Sequence, residues 1–253
     1  MNRELKTLFT AIMFYTRIPV PKGIGFSDEN LNRATRYFPL IGILVGGFGA
    51  LAFMLAQTVL SNPIAILLSM ILTILLTGAF HEDGFADFCD GFGGGYTKDK
   101  ILVIMKDSQI GTYGAIALIL ILLSKFILIN EIRIDAIPFV FVSAHAFSRL
   151  NPVLLIMTSS YVRQDETSKS KPVGKKISFT SLFIALIFGL APLFLLPIIF
   201  IPFFILTQIL ILLVFRRYVH KKIGGYTGDV LGALQQLSEI AYYLCFIVLS
   251  GLL

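Results

Sequence analysis

Residues 37–60 read YFPLIGILVGGFGALAFMLAQTVL, a run of 24 residues without a charged side chain. An α-helix rises about 1.5 Å per residue, so this run can cross a hydrocarbon core of about 30 Å. The whole chain has the same character, since its 253 residues are 56% hydrophobic and only 14% charged, with a mean hydropathy of +0.84. These values are typical of an integral membrane protein and argue against a soluble domain.

Six further apolar segments are long enough to be membrane spans. The seven predicted spans cover residues 37–60, 64–80, 112–129, 137–158, 179–196, 198–215 and 237–253. The fifth and sixth are separated at Pro197, because one helix over their whole length would measure about 55 Å. The sequence therefore predicts an all-α fold, a polytopic transmembrane helix bundle of about seven spans that forms a single domain over residues 1–253.

The positions of Lys and Arg predict the orientation of this bundle. With seven spans, four segments share one side and contain 18 of the 21 basic residues, namely 1–36, 81–111, 159–178 and 216–236. An excess of basic residues marks the cytoplasmic side, so the protein is predicted to be a multi-pass protein of the cytoplasmic membrane. The net charge of +6 is then a topology signal, and the lipid bilayer rather than nucleic acid is the expected partner.

An acidic block, HEDGFADFCDGFGGG at residues 81–95, directly follows the second predicted span. Asp83, Asp87 and Asp90 are spaced i, i+4 and i+7, which places their carboxylates on one face of a helix. Like charges this close repel unless a cation lies between them, and Mg²⁺ typically binds through a few carboxylates plus substrate phosphates. We therefore predict these three residues as metal ligands at the cytoplasmic face, with a solvated loop as the alternative. Glu82 projects about 100° away and is a weaker candidate.

Glycines at the end of the acidic block suggest contacts to phosphate. Gly93 and Gly94 could bring backbone N–H groups close to phosphate oxygens, as glycine-rich loops do. A turn that simply ends the acidic helix is an equal alternative.

Two more polar segments lie on the same predicted side. In the first, Lys106 stands beside Asp107 and Ser108, which offers a cation and a further acid, although a surface ion pair would have the same pattern. In the second, Asp229 follows Gly-Tyr-Thr-Gly, where it is either a substrate or second-metal contact or a helix cap.

Two basic residues lie within predicted spans. Arg149 is four residues after His145 on one helix face, and an Arg at that depth needs a partner. We expect it to bind substrate phosphate, with a carboxylate of the bundle as the alternative. Lys125 lies near the outer end of its span, where its ammonium group is expected to reach the membrane surface.

Small residues recur in the first span at Gly42, Gly46 and Ala50. This small-xxx-small spacing permits two helices to approach closely. Packing inside the bundle is the preferred interpretation, and association into a homo-oligomer is left open.

Three motifs together resemble the cobalamin synthase family, whose members are adenosylcobinamide-GDP ribazoletransferases. The motifs are HEDGFADFCDG at 81–91, IMKDSQIGTYG at 104–114 and GGYTGDVLGA at 224–233. The similarity runs in order from about residue 8 to residue 235. It implies that adenosylcobinamide-GDP reacts with α-ribazole or its 5′-phosphate, giving adenosylcobalamin or its phosphate and GMP, and that Mg²⁺ is required.

This resemblance gives each polar residue a predicted role. The predicted catalytic residues are Asp83, Asp87, Asp90, Asp107, Asp229 and Lys106, where the three carboxylates of the acidic block hold Mg²⁺ and Asp107 or Asp229 is the general base. The predicted substrate-binding residues are Arg149, Gly93, Gly94 and Ser108. Positioning and charge neutralisation are expected to supply most of the rate.

Other membrane proteins share parts of this pattern. A CDP-alcohol phosphotransferase or a prenyltransferase also uses Mg²⁺ and a diphosphate donor, but the first expects Asp-Gly-X-X-Ala-Arg, and this chain has no Arg after Ala86. A cation transporter would place ionisable groups at the midplane of several spans. The clustering of the acids near one surface argues against transport.

Overall fold

The structure is a computed structural model that describes residues 2–24, 27–163 and 177–252, and every regular element in these ranges is helical. The all-α prediction is therefore confirmed. The α-helices are α1 Arg3–Tyr15, α2 Asp28–Ala34, α3 Phe38–Gln57, α4 Asn62–Thr77, α5 Phe80–Gly94, α6 Lys98–Ile104, α7 Thr112–Asn130, α8 Ile137–Ser148, α9 Leu150–Thr158, α10 Phe179–Leu190, α11 Ile201–Ile223 and α12 Gly228–Gly251. Short 3-10 helices cover Thr35–Tyr37, Ala191–Leu195 and Ile198–Phe200.

Five helical segments are long and apolar enough to cross a membrane, so the chain is a multi-pass membrane protein. They are Glu29–Gln57, Thr112–Asn130, Ile137–Thr158, Ile198–Ile223 and Gly228–Gly251. Helices α4 and α5 meet the same test only as a pair bent by 85°, which raises the count to six if the pair is one broken span.

In the described part of the chain, two of the seven predicted spans are not single helices of spanning length. Residues 64–80 count only as part of the bent pair α4 and α5, and the other is the segment Phe179–Leu195. This apolar segment is shorter than the spanning helices. Its α-helix ends at Leu190 and continues as a 3-10 turn that contains Pro192. Proline has no N–H to donate to the preceding turn, so the regular helix cannot continue through this point.

The bend between α4 and α5 turns the acidic helix by 85° from the direction of α4. Gly78 and Ala79 both have positive φ values, of 66° and 57°. This conformation is common for glycine but uncommon for alanine. The side chain of Arg17 covers the turn, since a Cβ atom on Gly78 would lie 2.3 Å from its Nε, and the backbone N–H of Arg17 donates to the carbonyl of Leu76 at 2.7 Å.

Helix α3 packs tightly on α8 through its small residues. A Cβ atom on Gly42 would lie 2.2 Å from the carbonyl oxygen of His145, and one on Gly46 would lie 2.6 Å from that of Phe141. Ala50 is also buried. The small-residue face is thus occupied by a helix of the same chain, which confirms the interpretation of packing inside the bundle.

Contacts at one end of the bundle join the segments that were predicted to share a side. Asp90 of the acidic block accepts hydrogen bonds from the start of α7. The N–H of Val162 donates to the carbonyl of Tyr226, and the N–H of Tyr226 donates to the carbonyl of Ser160, both at 3.0 Å. The first and second polar motifs therefore meet at the start of α7, and the third meets the segment that follows α9.

Candidate active site

Helices α5 and α12 cross at a close contact between glycines, and this crossing brings acidic side chains together. A Cβ atom on Gly84 would lie 3.1 Å from the Cα of Asp229, and one on Gly232 would lie 3.2 Å from the carbonyl oxygen of His81. Asp229 occupies the first turn of α12, while Asp83 and Asp87 lie on α5 on either side of this contact. Larger side chains at the two glycines would separate the acids.

The carboxylates at this crossing form a region of concentrated negative charge. Asp83 is exposed, and Asp87 and Asp229 are partly buried. Helix α5 is not one of the five spanning helices. In this helix, burial and the neighbouring Asp229 and Asp83 raise the pKa of Asp87 to about 7. A cation would stabilise the ionised carboxylates, as expected for residues that hold a metal shared with substrate.

Asp90 has a different environment from the other acids. Its Oδ2 accepts a hydrogen bond from the N–H of Gly111 at 2.7 Å, and its Oδ1 accepts one from the N–H of Gly114 at 2.8 Å. The carboxylate therefore satisfies backbone donors at the start of α7, groups that no carbonyl of that helix can pair. A Cβ atom on either glycine would lie within 2.4 Å of this carboxylate. Asp90 thus fixes the start of α7, while Asp229 lies with Asp83 and Asp87 at the helix crossing. The assignment of Asp90 as a third metal ligand stays a prediction.

Arg163 is a cation of this site. The sequence identified it only as one of the basic residues of segment 159–178. Its guanidinium donates to Oδ2 of Asp229 at 2.8 Å and to the carbonyl of Met105 at 3.0 Å. The hydroxyl of Thr227 also donates to this carboxylate oxygen, at 3.3 Å. The only signal in the sequence was that Arg163 and Asp229 lie on the same predicted side with opposite charges.

The loop between α6 and α7 presents three predicted site residues to solvent. Lys106, Asp107 and Ser108 are all exposed. The side chain of Asp107 accepts a hydrogen bond from the N–H of Gln109 at 3.1 Å, which is a local turn contact. Asp90 holds the end of this loop through Gly111.

Gly93 and Gly94 form the last turn of α5. A helix C-terminus presents carbonyl oxygens rather than N–H groups, and the helix dipole there disfavours anions. A Cβ atom on Gly93 would lie 2.6 Å from the ring of Tyr113. This position favours the alternative interpretation, in which the glycines end the helix and permit close packing.

Arg149 lies at the break between α8 and α9 and is 1% exposed. Its guanidinium donates to the carbonyl of His145 at 2.7 Å and lies 5.5 Å above the ring of Phe38. A phosphate in solvent does not reach this group in the structure, so the geometry favours partners within the bundle over the predicted phosphate contact.

Lys125 is also buried, so the expectation that it reaches the membrane surface is wrong. Its Nζ lies 3.1 Å from Oε1 of Glu239 on α12. The pair forms because an ammonium group in a low-dielectric interior gains more from a nearby carboxylate than from a partial reach to water.

The carboxylates at the helix crossing fit the predicted Mg²⁺. Within the described ranges, no group of three or more His, Cys, Asp and Glu side chains is arranged as a preformed metal site. Mg²⁺ does not need one, because it often binds through one or two carboxylates and completes its shell with water and substrate phosphates. Asp83 and Asp87 offer hard oxygen ligands one helical turn apart and fit that kind of site.

Comparison with known proteins identifies the family of this chain. The sequence profile of the family described as cobalamin-5-phosphate synthase matches residues 7–247. The adenosylcobinamide-GDP ribazoletransferase of Shewanella frigidimarina is 45% identical over 252 residues, which cover 98% of this chain and 96% of the relative. The enzyme of the same name from Vibrio cholerae is 42% identical over 245 residues, covering 96% and 94% of the two chains. No solved structure matches the chain. The chain belongs to the cobalamin-5-phosphate synthase family.

Proposed function

We propose that this protein is an adenosylcobinamide-GDP ribazoletransferase. Relatives with that name match it over nearly their full length. The observation that carries the proposal is the meeting of Asp83, Asp87 and Asp229 beside Arg163 at one end of a membrane bundle. These groups suit a reaction between a diphosphate donor and an alcohol.

In the proposed reaction a hydroxyl oxygen of α-ribazole, or of its 5′-phosphate, attacks the phosphorus attached to cobinamide. A new phosphorus–oxygen bond forms, the bond to the GMP group breaks, and the hydroxyl proton passes to a base. Negative charge spreads over the phosphoryl oxygens during this transfer, so positioned cations lower the barrier.

Each charged residue of the site has a proposed role in this transfer. Asp83 and Asp87 would hold Mg²⁺, which when bound supplies charge neutralisation for the diphosphate. Arg163 would give up its hydrogen bond to Asp229 and donate to phosphate oxygens of the substrate. Asp229 is our choice for the general base in preference to Asp107, because it lies at the crossing of α5 and α12 beside Asp87.

The rival functions find less support. The motif of CDP-alcohol phosphotransferases lacks its Arg in this chain, and the family match covers residues 7–247. A cation transporter finds no support among the relatives, which carry the name of a transferase.

A direct assay tests the proposed activity. Purified protein in liposomes, given adenosylcobinamide-GDP, α-ribazole and Mg²⁺, is expected to release GMP and form the cobalamin product in equal amounts. Exhaustive chelation should stop the reaction, Mn²⁺ should restore it, and Ca²⁺ should do so poorly because its coordination is longer and looser. Absence of product would refute the function, and full activity after chelation would refute the metal requirement.

We further propose that the site faces the cytoplasm across the cytoplasmic membrane. In a background without Cys89 and Cys245, single cysteines replacing Tyr96 and Lys222 should react with a membrane-impermeant reagent only from the cytoplasmic side. A cysteine replacing Arg133 should react only from outside. The equivalent test at Lys171 concerns a position outside the described residues. Reaction of positions 96 and 222 from opposite sides would contradict a single active face.

A further inference from the structure

A second group of charged side chains lies inside the bundle and does not include Asp83 or Asp87. Its centre is Glu239 of α12, which accepts hydrogen bonds from Gln235 at 2.7 Å and from the hydroxyl of Tyr243 at 3.2 Å. Its Oε1 lies 3.1 Å from Nζ of Lys125, and its Oε2 lies 3.8 Å from Nδ1 of His145. The side chains of Lys125 and Glu239 are only 7% and 3% exposed.

A gain in folding stability does not by itself explain why this chain has a buried ion pair. Removing two charges from water costs several kcal/mol per ion, and apolar replacements of similar volume often match or exceed the stability of a buried pair. A buried pair is better suited to fixing which groups lie opposite each other.

The cluster is too closed to take part in the reaction itself. It surrounds a cavity of about 20 Å³, enough for about one water molecule. Neither substrate fits this space. Any effect of Lys125 or Glu239 on catalysis must therefore pass through the position of other residues.

The pair joins α12, whose first turn contains Asp229, to α7, whose first turn is held by Asp90 of the acidic helix. Lys125 belongs to α7, which begins at the backbone groups held by Asp90. Glu239 belongs to α12, whose first turn contains Asp229.

Helix α5 is linked to both of these helices. Asp90 joins it to α7 through the N–H groups of Gly111 and Gly114. Glu82 joins it to α12 by accepting a hydrogen bond from Nε2 of Gln236 at 3.0 Å. The link between Lys125 and Glu239 closes a triangle of polar contacts among α5, α7 and α12.

We propose that Lys125 and Glu239 form a positioning pair, which sets the spacing of α7 and α12 and thereby the separation of Asp87 from Asp229. Glu239 lies about 15 Å along α12 from Asp229, so a small change in helix angle at the pair produces a larger displacement at the acids. The proposal rests on the proposed function for its activity readout, while its metal-binding and stability readouts stand alone.

Substitution of both partners separates positioning from folding. Lys125→Met alone leaves a buried carboxylate without its cation and should lower the melting temperature. The double variant Lys125→Met/Glu239→Gln removes both charges, keeps an acceptor for Tyr243, and should recover most of that loss. If the pair positions the site, kcat for GMP release stays about 10- to 100-fold low in the double variant, because small misplacements of reacting groups are costly.

Binding of Mn²⁺ to the protein without substrate provides the second readout. Electron paramagnetic resonance should show a dissociation constant about tenfold higher in the double variant than in the wild type. Lys125→Arg keeps the charge and should lie closer to the wild type than Lys125→Met in both kcat and Mn²⁺ affinity. A double variant that folds and equals the wild type in both would overturn the positioning role.

Failure of the proposed function can be told apart from failure of the positioning role. If the wild type neither forms GMP nor binds Mn²⁺, the proposed function fails, whatever the variants do. If the methionine variants do not fold, Glu239→Asp decides, because it keeps the charge but shortens the reach. A folded Glu239→Asp protein should then show reduced kcat at an unchanged melting temperature, and wild-type kcat would overturn the positioning role.

Discussion

Asp83→Asn and Asp87→Asn are each expected to lower the rate of GMP release by about 10²- to 10³-fold while leaving the protein folded. Asparagine keeps the shape of aspartate but cannot neutralise a metal ion. The lost interaction is one that strengthens as charge develops on the transferring phosphoryl group. The measurement is the initial rate of GMP release by protein in liposomes at saturating Mg²⁺.

The same variants should be as stable as the wild type or more stable. Asp87 lies beside Asp83 and Asp229, so removing its charge relieves repulsion when no metal is bound. The melting temperature in metal-free buffer is therefore expected to equal or exceed that of the wild type. Near-normal turnover, or a loss of activity explained by misfolding, would show that these carboxylates are structural.

Two acids of the same helix provide the controls. Glu82 is buried and bonded to Gln236, and Glu82→Gln keeps an acceptor for that contact, so GMP release should stay within several-fold of the wild type. Asp90→Asn has one amide oxygen for the two N–H groups of Gly111 and Gly114. It should lose about 1–3 kcal/mol of stability, which sets it apart from the variants at Asp83 and Asp87.

The sequence was sufficient to predict the helical membrane bundle and one face of the site. Hydropathy identifies long apolar helices because the bilayer admits few other solutions. Helical periodicity placed Asp83 and Asp87 together, and the structure agrees. The same periodicity placed Asp90 with them, and it could not show that both oxygens of Asp90 also accept hydrogen bonds from the start of α7. A repeat of 3.6 residues says which side chains share a face, but not which neighbouring helix meets each part of that face.

Residues inside the membrane were harder to interpret from sequence. The positions of Lys125 and Arg149 indicated depth, but their partners belong to other turns or helices. Glu239, the partner of Lys125, is more than 100 residues further along the chain. Hydropathy marks Phe179–Leu195 as one apolar run, because it records composition and not the 3-10 turn at Pro192. Each of these features depends on tertiary contacts or on local backbone geometry.

Gly42→Ala is expected to destabilise the protein strongly, although it adds a single methyl group. The new Cβ atom would lie 2.2 Å from the carbonyl oxygen of His145 and 2.7 Å from the Cα of Ala146. Both are backbone atoms of α8, so no side chain can rotate to relieve the clash. The helices must separate along their contact, and overpacking of this kind costs about 1–3 kcal/mol or more.

Gly47→Ala is the matched control, because it makes the same chemical change in the same helix. A Cβ atom on Gly47 meets no other atom within 4 Å. Alanine is favoured over glycine in a helix by about 0.5–1 kcal/mol, so this variant should be as stable as the wild type or more stable. Thermal unfolding followed by circular dichroism in detergent compares the two. Equal melting temperatures for both variants would mean that α3 and α8 are not packed backbone to backbone. A selective loss at Gly42 would instead show that this contact holds α8, and with it His145, in place beside Glu239.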